Sequence, residues 1–205
     1  MNQTNANAVG TWVDQILDQQ KYNSPAAQAS AYAPSNIALS KYWGKRETSF
    51  NLPVTGSLSI SLAQHGTRTD LSVIDAPQHQ VILNGVAIGA SSCFAVKVCQ
   101  WLDRVLPSDL KLRIDTYNTV PTAAGLASSA SGFAALTLAT NTLMGWQLPE
   151  RQLSALARLG SGSASRSLWH GFAKWQVGEL ADGSDSIAFP LTQQWPQLRV
   201  GLLTI

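Results

Sequence analysis

One segment, Pro121 to Gly132, constrains the fold more than any other part of the chain. It reads Pro-Thr-Ala-Ala-Gly-Leu-Ala-Ser-Ser-Ala-Ser-Gly. Before it, Lys111 to Val120 alternates apolar and polar residues as a strand does, and after it Phe133 to Leu143 has the composition of a helix. The order of strand, glycine loop and helix predicts a helix whose first turn presents free backbone N–H groups and a partial positive charge.

This segment has two interpretations. A phosphate group could approach the helix closely because Gly125 and the alanines are small, and the hydroxyls of Ser128 and Ser129 could bind phosphate oxygens or Mg²⁺. The same composition would also suit a helix start that only packs against a sheet. The spacing matches neither the Walker loop, which needs Gly-Lys-Ser or Gly-Lys-Thr, nor the Gly-x-Gly-x-x-Gly loop of dinucleotide folds.

Length and composition limit the class of protein. The 205 residues are enough for one substantial domain or two small ones, and 45% hydrophobic residues can form a core. Only 13% of residues are charged and the net charge is +2, so the composition indicates no nucleic-acid partner. No stretch approaches the roughly 20 apolar residues that cross a bilayer, and Met1 to Tyr22 lacks the pattern of a secretory signal. We therefore expect a cytoplasmic protein without a membrane partner.

The cysteines and histidines predict no metal or redox site. Cys93 and Cys99 are six residues apart in a predicted helix, which matches neither a Cys-x-x-Cys pair nor a zinc motif, so we expect reduced core residues. His65, His79 and His170 are scattered without metal spacing. We expect structural or surface roles for all three.

Two further segments have compositions that suit an anionic ligand. Lys41 to Arg46 reads Lys-Tyr-Trp-Gly-Lys-Arg, which suits a ligand with several phosphate oxygens or, alternatively, a solvated charged loop. Gly160 to Ser167 reads Gly-Ser-Gly-Ser-Ala-Ser-Arg-Ser and could turn N–H groups, hydroxyls and a guanidinium toward one anion. A flexible linker is the alternative, although a linker would not need the arginine.

The remaining sequence predicts a mixture of strands and helices. We expect a mobile terminus over Met1 to Gly10, followed by a short helix capped by Thr11. Alternation up to Leu62, a turn at His65-Gly66 and a return strand over Thr67 to Ile74 predict a hairpin. A further strand is predicted over Ala29 to Gly44, with an interruption at Pro34. The other predicted strands are Val81 to Leu83, Lys111 to Thr119, Phe172 to Leu180 and Ile187 to Leu191. The other predicted helices are Ser91 to Leu106 and Glu150 to Leu159.

Three separated segments together resemble the diphosphomevalonate decarboxylase family of the GHMP small-molecule kinase superfamily. The loop at Pro121 to Ala130 resembles the superfamily motif Pro-x-x-x-Gly-Leu-[Gly/Ala]-Ser-Ser-Ala. The Lys-Tyr-Trp-Gly-Lys run at Lys41 and the Gly-Ser-Gly-Ser-Ala-x-Arg-Ser run at Gly160 are more specific to the decarboxylases. The resemblance covers roughly Ala29 to Ile205.

The resemblance implies a fold and a domain organisation. The fold is an α+β domain of the ribosomal protein S5 domain 2-like type, with helices packed on a mostly antiparallel sheet. We expect an N-terminal extension over residues 1–28, a GHMP-kinase N-terminal domain over 29–197, and over 198–205 the start of a C-terminal domain that the chain otherwise lacks. Members of the family are commonly homodimers.

The resemblance also implies an activity. In the family, ATP phosphorylates the 3-hydroxyl of mevalonate 5-diphosphate, the new phosphate leaves, and CO₂ is lost to give isopentenyl diphosphate, a step of the mevalonate pathway of isoprenoid biosynthesis. ATP and Mg²⁺ are the implied cofactors. Alternatives are a related mevalonate 3-kinase, a phosphomevalonate decarboxylase, or a non-catalytic protein that only binds the ligands.

Individual residues take roles from the same resemblance. Arg166 is expected to pair with the substrate carboxylate and orient it for loss, and Ser129 to bind Mg²⁺. The expected substrate-binding residues are Tyr42, Trp43, Gly44, Lys45, Ser161, Gly162, Ser163, Ala164, Ser165 and Arg166. The expected ATP-binding residues are Gly125, Leu126, Ala127, Ser128 and Ser129.

The sequence departs from the family in two places. Gln80 stands where some relatives carry an arginine, so one substrate contact is expected to be absent or supplied elsewhere. The catalytic aspartate of the family lies in a Phe-Asp-Ala-Gly-Pro-Asn-like segment of a second half, which this chain does not contain. Asp182 and Asp185 are interpreted as a self-capping turn rather than as substitutes for that base.

Overall fold

The computed structural model describes residues 3–119 and 128–201, with side chains from residue 8 onward. The helices are α1 (Gln3–Leu17), α2 (Cys93–Val105), α3 (Ser128–Leu143) and α4 (Glu150–Gly160), and short 3₁₀ helices cover Asp18–Tyr22 and Gly162–Arg166. The strands are β1 (Gln28–Ser40), β2 (Lys45–Glu47), β3 (Leu52–Pro53), β4 (Ser57–Ile74), β5 (Gln80–Leu83), β6 (Val86–Ala87), β7 (Lys111–Asn118), β8 (Phe172–Trp175) and β9 (Ala188–Pro190).

Strand β4 is the centre of the main sheet. One edge of β4 pairs antiparallel with β1, and the other edge pairs with β8 from Ser57 to Ile60 and with β7 from Thr67 to Ile74. Strands β5 and β6 extend the sheet beyond β7, and β9 extends it beyond β8. Only the β5–β7 pair is parallel among the described strands, so the predicted mostly antiparallel sheet is confirmed. Strands β2 and β3 form a separate hairpin.

The predicted hairpin at His65-Gly66 is wrong, because β4 continues through both residues as one strand. The register between β1 and β4 shifts at Pro34 to Asn36, where residues 62–65 of β4 form a bulge opposite Ser35. A Cβ on Gly66 would lie 2.2 Å from a carbonyl oxygen of β1. The glycine therefore permits close approach of two strands beside a bulge, and the pattern resembled a turn because both features use small residues.

The helices cover one face of the main sheet. Alternate strand residues on that face, including Ala33, Leu71, Leu112 and Ile114, are buried in one hydrophobic core with side chains of all four helices. Arg68, Arg113 and Tyr117, which alternate with them, are exposed. This alternation matches the pattern expected for strands covered on one side.

Helix α1 begins at Gln3 and not after Thr11, as the sequence had suggested. Val9, Trp12, Val13 and Leu17 are only 0–5% exposed and belong to the core. Their helical spacing extends the apolar stripe one turn before Trp12, which explains the earlier start.

The helix predicted over Ser91 to Leu106 is present as α2. Helix α2 has Ser92 as its N-cap and ends before Pro107, and Val98, Trp101 and Leu102 are among its buried residues. The prediction that both cysteines lie in the core is wrong, because Cys93 is exposed and Cys99 is half-buried, although both are free thiols.

The predicted strand after Phe172 ends at Trp175, since the following residues form turns. No helix in the described ranges is long and apolar enough to cross a membrane.

Candidate functional site

The segment after α4 forms a short 3₁₀ helix, Gly162–Arg166, and the last turn of α4 before it carries a buried arginine, Arg158. Arg158 is fully buried, and its Nε donates a hydrogen bond to the Phe50 carbonyl oxygen at 2.9 Å. Its Nη1 donates to the carbonyl oxygens of Gly183, at 2.7 Å, and Ser186. Burial lowers the pKa of Arg158 to about 10, so it remains a cation at neutral pH. Arg158 therefore ties the C-terminal turn of α4 to the β2–β3 hairpin and to the turn before β9.

Arg166 is a buried cation. Its side chain is 2% exposed, Nη1 donates to the Ser57 hydroxyl, and Nη2 donates to Asn36 Oδ1 at 3.3 Å. Its Nε has no acceptor and no carboxylate pairs with the guanidinium, within the ranges that the structure describes. Burial lowers the pKa of Arg166 to about 10. Because a buried charge with an unused N–H is costly, this position suits an incoming anion.

Asn36 links strand β1 to the segment that carries Arg166, and it is not among the site residues predicted from the sequence. Its Nδ2 donates to the Ser163 carbonyl oxygen at 3.2 Å and to the Ser167 hydroxyl at 2.6 Å, while its Oδ1 accepts from Arg166. Asn36 is buried. The sequence signal for this role is that Asn36 is a single amide side chain among apolar and small residues of a strand. A buried amide needs hydrogen-bond partners, so this position predicts a polar contact in the core.

Helix α3 begins beside the same part of β1. The Ser131 hydroxyl lies 3.2 Å from that of Ser35 and 2.7 Å from that of Thr67. Ser128 is half-buried, Ser129 is exposed, and the first turn of α3 has no acidic residue. Gly125, Leu126 and Ala127 of the predicted ATP loop lie outside the described residues. The helix that follows this loop is therefore anchored next to Asn36 and, through it, to Arg166.

Tyr42 and Gly162 bring the segment at Lys41 to Arg46 into contact with the segment at Gly160 to Ser167. The Tyr42 ring packs edge-on against Trp175, with ring centroids 4.9 Å apart. A Cβ on Gly162 would lie 3.0 Å from the Trp175 ring and 3.2 Å from the Tyr42 hydroxyl. Trp175 is itself held by a hydrogen bond from Nε1 to the Ser186 hydroxyl at 3.2 Å. A glycine is needed at position 162 because two aromatic side chains approach it.

Lys45 lies at the start of the β2–β3 hairpin, after Gly44, whose φ of +69° favours glycine. The Lys45 Nζ donates to Asn51 Oδ1 at 2.5 Å. Asn51 Nδ2 in turn donates to the carbonyl oxygens of Arg158 and Leu159, at 2.9 and 3.0 Å. Lys45 is thereby held at the C-terminal end of α4. The Trp43 side chain is 73% exposed.

Four of the small residues from Ser161 to Ser165 fall into a half-buried pair and a buried pair. Ser161 and Ser163 are half-buried, and their hydroxyls lie 3.2 Å apart. Ser165 is buried and donates to the Gly162 carbonyl oxygen at 2.8 Å, and the Ala164 side chain beside it is also buried. The first pair can present hydroxyls to a ligand, whereas the second pair holds the turn. The binding roles expected for all four stay predictions.

The aspartates near this segment are occupied locally, as predicted. Asp185 accepts hydrogen bonds from the backbone N–H groups of Glu179 and Leu180, and Asp182 accepts from that of Ser184. Burial opposes ionisation of Asp185, but these N–H groups lower its pKa below the usual range. No group of three or more His, Cys, Asp or Glu side chains in the described residues could hold a metal ion. The site therefore offers hydroxyls, amides and cations, which suit a ligand with phosphate and carboxylate groups.

Comparison with solved structures defines the class of fold. The structure of mevalonate diphosphate decarboxylase from Staphylococcus aureus is 42% identical, with a TM-score of 0.74, and the match covers 80% of this chain and 50% of that one. The Enterococcus faecalis enzyme gives 40% identity, a TM-score of 0.70, and 80% and 51% coverage. A further structure, MDDEF in complex with MVAPP, AMPPCP and magnesium, is 40% identical with a TM-score of 0.65. The domain has the GHMP-kinase fold, in the α+β form that the resemblance implied.

Comparison of sequences then defines the family. The model of the diphosphomevalonate decarboxylase-like N-terminal domain matches residues 33–188. Diphosphomevalonate decarboxylases of Aspergillus fumigatus, Saccharomyces cerevisiae and Homo sapiens are 43%, 42% and 40% identical, and the matches cover 87%, 86% and 88% of this chain and 49% of each relative. The chain belongs to the diphosphomevalonate decarboxylase family. It spans about half the length of the curated relatives it matches.

Proposed function

We propose that the protein carrying this domain catalyses the ATP-dependent decarboxylation of mevalonate 5-diphosphate to isopentenyl diphosphate, ADP, phosphate and CO₂. The observation that carries the proposal is Arg166, a buried guanidinium whose Nε–H is unused and which has no counterion among the residues that the structure describes. A carboxylate matches the geometry of such a planar cation, because its two oxygens can accept two hydrogen bonds from it. The activity named for the relatives consumes a substrate that has one.

Arg166 would orient the carboxylate for loss. Its guanidinium is held by Ser57 and Asn36, so the carboxylate meets a fixed donor and little reorganisation is needed. As the C–C bond to the carboxylate breaks, its electron pair forms the new double bond and the phosphate on the 3-oxygen leaves. Orientation of the breaking bond toward the leaving group is the contribution of this residue.

The diphosphate end of the substrate would lie at the other end of the same turn. Lys45 supplies a cation, the hydroxyls of Ser161 and Ser163 supply donors, and Tyr42 packs beside them against Gly162 and Trp175. Trp43 and Gly44 shape the loop between Tyr42 and Lys45, and Ala164 and Ser165 keep the serine turn in place.

ATP would bind at the start of α3. The lack of acidic side chains in the first turn and the exposed Ser129 hydroxyl fit a phosphate group and one ligand position of Mg²⁺. Ser128, Ser129 and the preceding Gly125 to Ala127 would contact the phosphates, which supply most of the Mg²⁺ ligands. Bound ATP supplies the phosphoryl group.

By family resemblance we further propose that the protein carrying this domain is cytoplasmic and forms a homodimer. Sedimentation of that protein at micromolar concentration tests whether it is a dimer.

The role of Arg166 is tested by replacing it with glutamine and titrating the chain calorimetrically with two ligands. Loss of a charge-assisted hydrogen bond costs about 1.5–3 kcal/mol, so Arg166→Gln should weaken binding of mevalonate 5-diphosphate by roughly 10- to 100-fold. Isopentenyl diphosphate is the matched control because it has no carboxylate, and its affinity should change less than about threefold. Equal losses for both ligands would show that Arg166 only supports the fold.

The reaction itself is tested by measuring CO₂ release and ADP formation together, in the protein that carries this domain. We expect one CO₂ for each ADP. ADP formation without CO₂ would contradict decarboxylation and indicate a kinase.

A further inference from the structure

A cationic cavity of about 230 Å³ lies beside Lys45. It is bounded by the β2–β3 hairpin, helix α2 and the C-terminal end of α4, and its charged lining residues are Lys45, Lys97 and Arg104. No acidic side chain lines it, within the described residues. At about 30 Å³ for each water, the cavity has room for several waters or for one compact anion.

Lys97 lines this cavity from helix α2. It lies on the exposed side of α2 and forms no hydrogen bond or ion pair within residues 3–119 and 128–201. Lys45, on the opposite wall, is held by Asn51. Like charges around one cavity repel each other unless an anion lies between them. The two lysines therefore form a site that an anion would stabilise.

The acidic residue of the hairpin does not neutralise this cavity. The Glu47 carboxylate accepts hydrogen bonds from the backbone N–H groups of Ser49, at 2.9 Å, and Phe50, at 2.6 Å. Burial opposes ionisation of Glu47, but these bonds lower its pKa below the usual range. Glu47 is thus committed to the turn and does not line the cavity.

The cavity also adjoins the proposed substrate site. Gly160 lines it and directly precedes Ser161, and Lys45 belongs both to the cavity and to the expected diphosphate contacts. We propose that Lys97 is a second cation for the diphosphate group, placed so that a diphosphate contacts both Lys45 and Lys97 whereas a monophosphate contacts only one. This assignment rests on the proposed function. It makes Lys97 a residue that selects the diphosphate over the monophosphate.

The assignment is tested by titrating the chain with mevalonate 5-diphosphate, mevalonate 5-phosphate and inorganic diphosphate. We expect Lys97→Gln to weaken binding of both diphosphates by about tenfold and to change the monophosphate less than about twofold. The loss should shrink at high salt, because partly exposed charges are screened. Lys97→Arg should retain the affinity for the diphosphates.

Lys111→Gln is the matched control, because it makes the same change in net charge and Lys111 lines a different cavity. An equal loss in the control, an unchanged affinity in Lys97→Gln, or no binding of any diphosphate by the chain would each overturn the assignment. Unchanged affinity in Lys97→Gln together with a carboxylate-specific loss in Arg166→Gln would overturn it while leaving the proposed function intact. Inorganic diphosphate binding that depends on Lys97, without binding of mevalonate 5-diphosphate, would support the anion site and contradict the substrate.

Discussion

At the scale of single residues, close approach decides which glycines are required. Gly160 ends α4 against the Phe133 ring, and a Cβ there would lie 2.1 Å from a ring carbon. Gly132 lies inside α3, and a Cβ there would have no atom of the described residues within 4 Å. Both are helical glycines, so their different surroundings, and not their local conformation, separate them.

This difference predicts opposite effects of alanine. Gly160→Ala should lower the free energy of unfolding by about 1–3 kcal/mol, because the added methyl group overpacks the core. Gly132→Ala should leave it unchanged or raise it by up to about 1 kcal/mol, because alanine favours the helix. Urea unfolding followed by tryptophan fluorescence measures both values. A Gly160→Ala protein as stable as the unsubstituted chain would contradict the packing described for this residue.

At the scale of elements, His79 joins three parts of the fold. Its Nδ1 accepts a hydrogen bond from the Leu112 N–H of β7 at 3.0 Å, and its Nε2 lies 3.4 Å from the Asp103 carboxylate of α2. Burial lowers the pKa of His79 below its ordinary value of 6.5, and the attraction of Asp103 only partly opposes this. The neutral imidazole is therefore the form that the folded chain uses, since its Nδ1 must remain an acceptor.

The lowered pKa predicts how stability depends on pH. Below pH 6.5 the unfolded chain binds a proton at His79 that the folded chain does not, so the free energy of unfolding should fall as the pH drops from 7.5 to 5.5. His79→Gln should reduce this dependence, because the amide oxygen can accept the Leu112 N–H without titrating. His170, which is exposed, provides the control, and His170→Gln should keep the slope. Stability that rises as the pH falls would contradict this account of His79.

At the scale of the whole molecule, the N-terminal segment that begins with α1 contacts the β2–β3 hairpin, α4 and the segment after α3. Trp12 packs edge-on against Phe50 of the hairpin turn, with ring centroids 5.8 Å apart, and the Arg158 guanidinium lies 5.7 Å from the centre of its ring. The Trp146 Nε1 donates to the Gln20 carbonyl oxygen at 2.8 Å. The N-terminal segment therefore packs against Arg158 and against the turn of the β2–β3 hairpin.

Replacement of Trp12 should destabilise the entire domain. Trp12→Ala removes a buried aromatic side chain and should lower the free energy of unfolding by about 3–5 kcal/mol. Gln15→Ala, on the exposed side of the same helix, should change it by less than about 0.5 kcal/mol. Thermal and urea unfolding measure both. A loss below about 1 kcal/mol for Trp12→Ala would mean that α1 contributes little to the core.

Periodic elements could be predicted from the sequence because their patterns are local. Helix α2 and strand β7 follow from spacing and end signals that lie within each element. The hairpin at His65-Gly66 could not be separated from a bulged strand, since the deciding contact is with β1, about 30 residues earlier in the chain. The Asn36 contacts were missed for the same reason, because its partner Ser167 is 131 residues away.

Sequence alone decided which chemical groups the site can offer, namely Lys45, Arg166 and a run of serines, because side-chain chemistry does not depend on the fold. Tertiary structure alone decided that Arg166 is buried, that Asn51 holds Lys45, and that Lys97 of α2 shares a cavity with Lys45. Burial and convergence arise from packing between segments that are distant along the chain. No local pattern of residues can specify them.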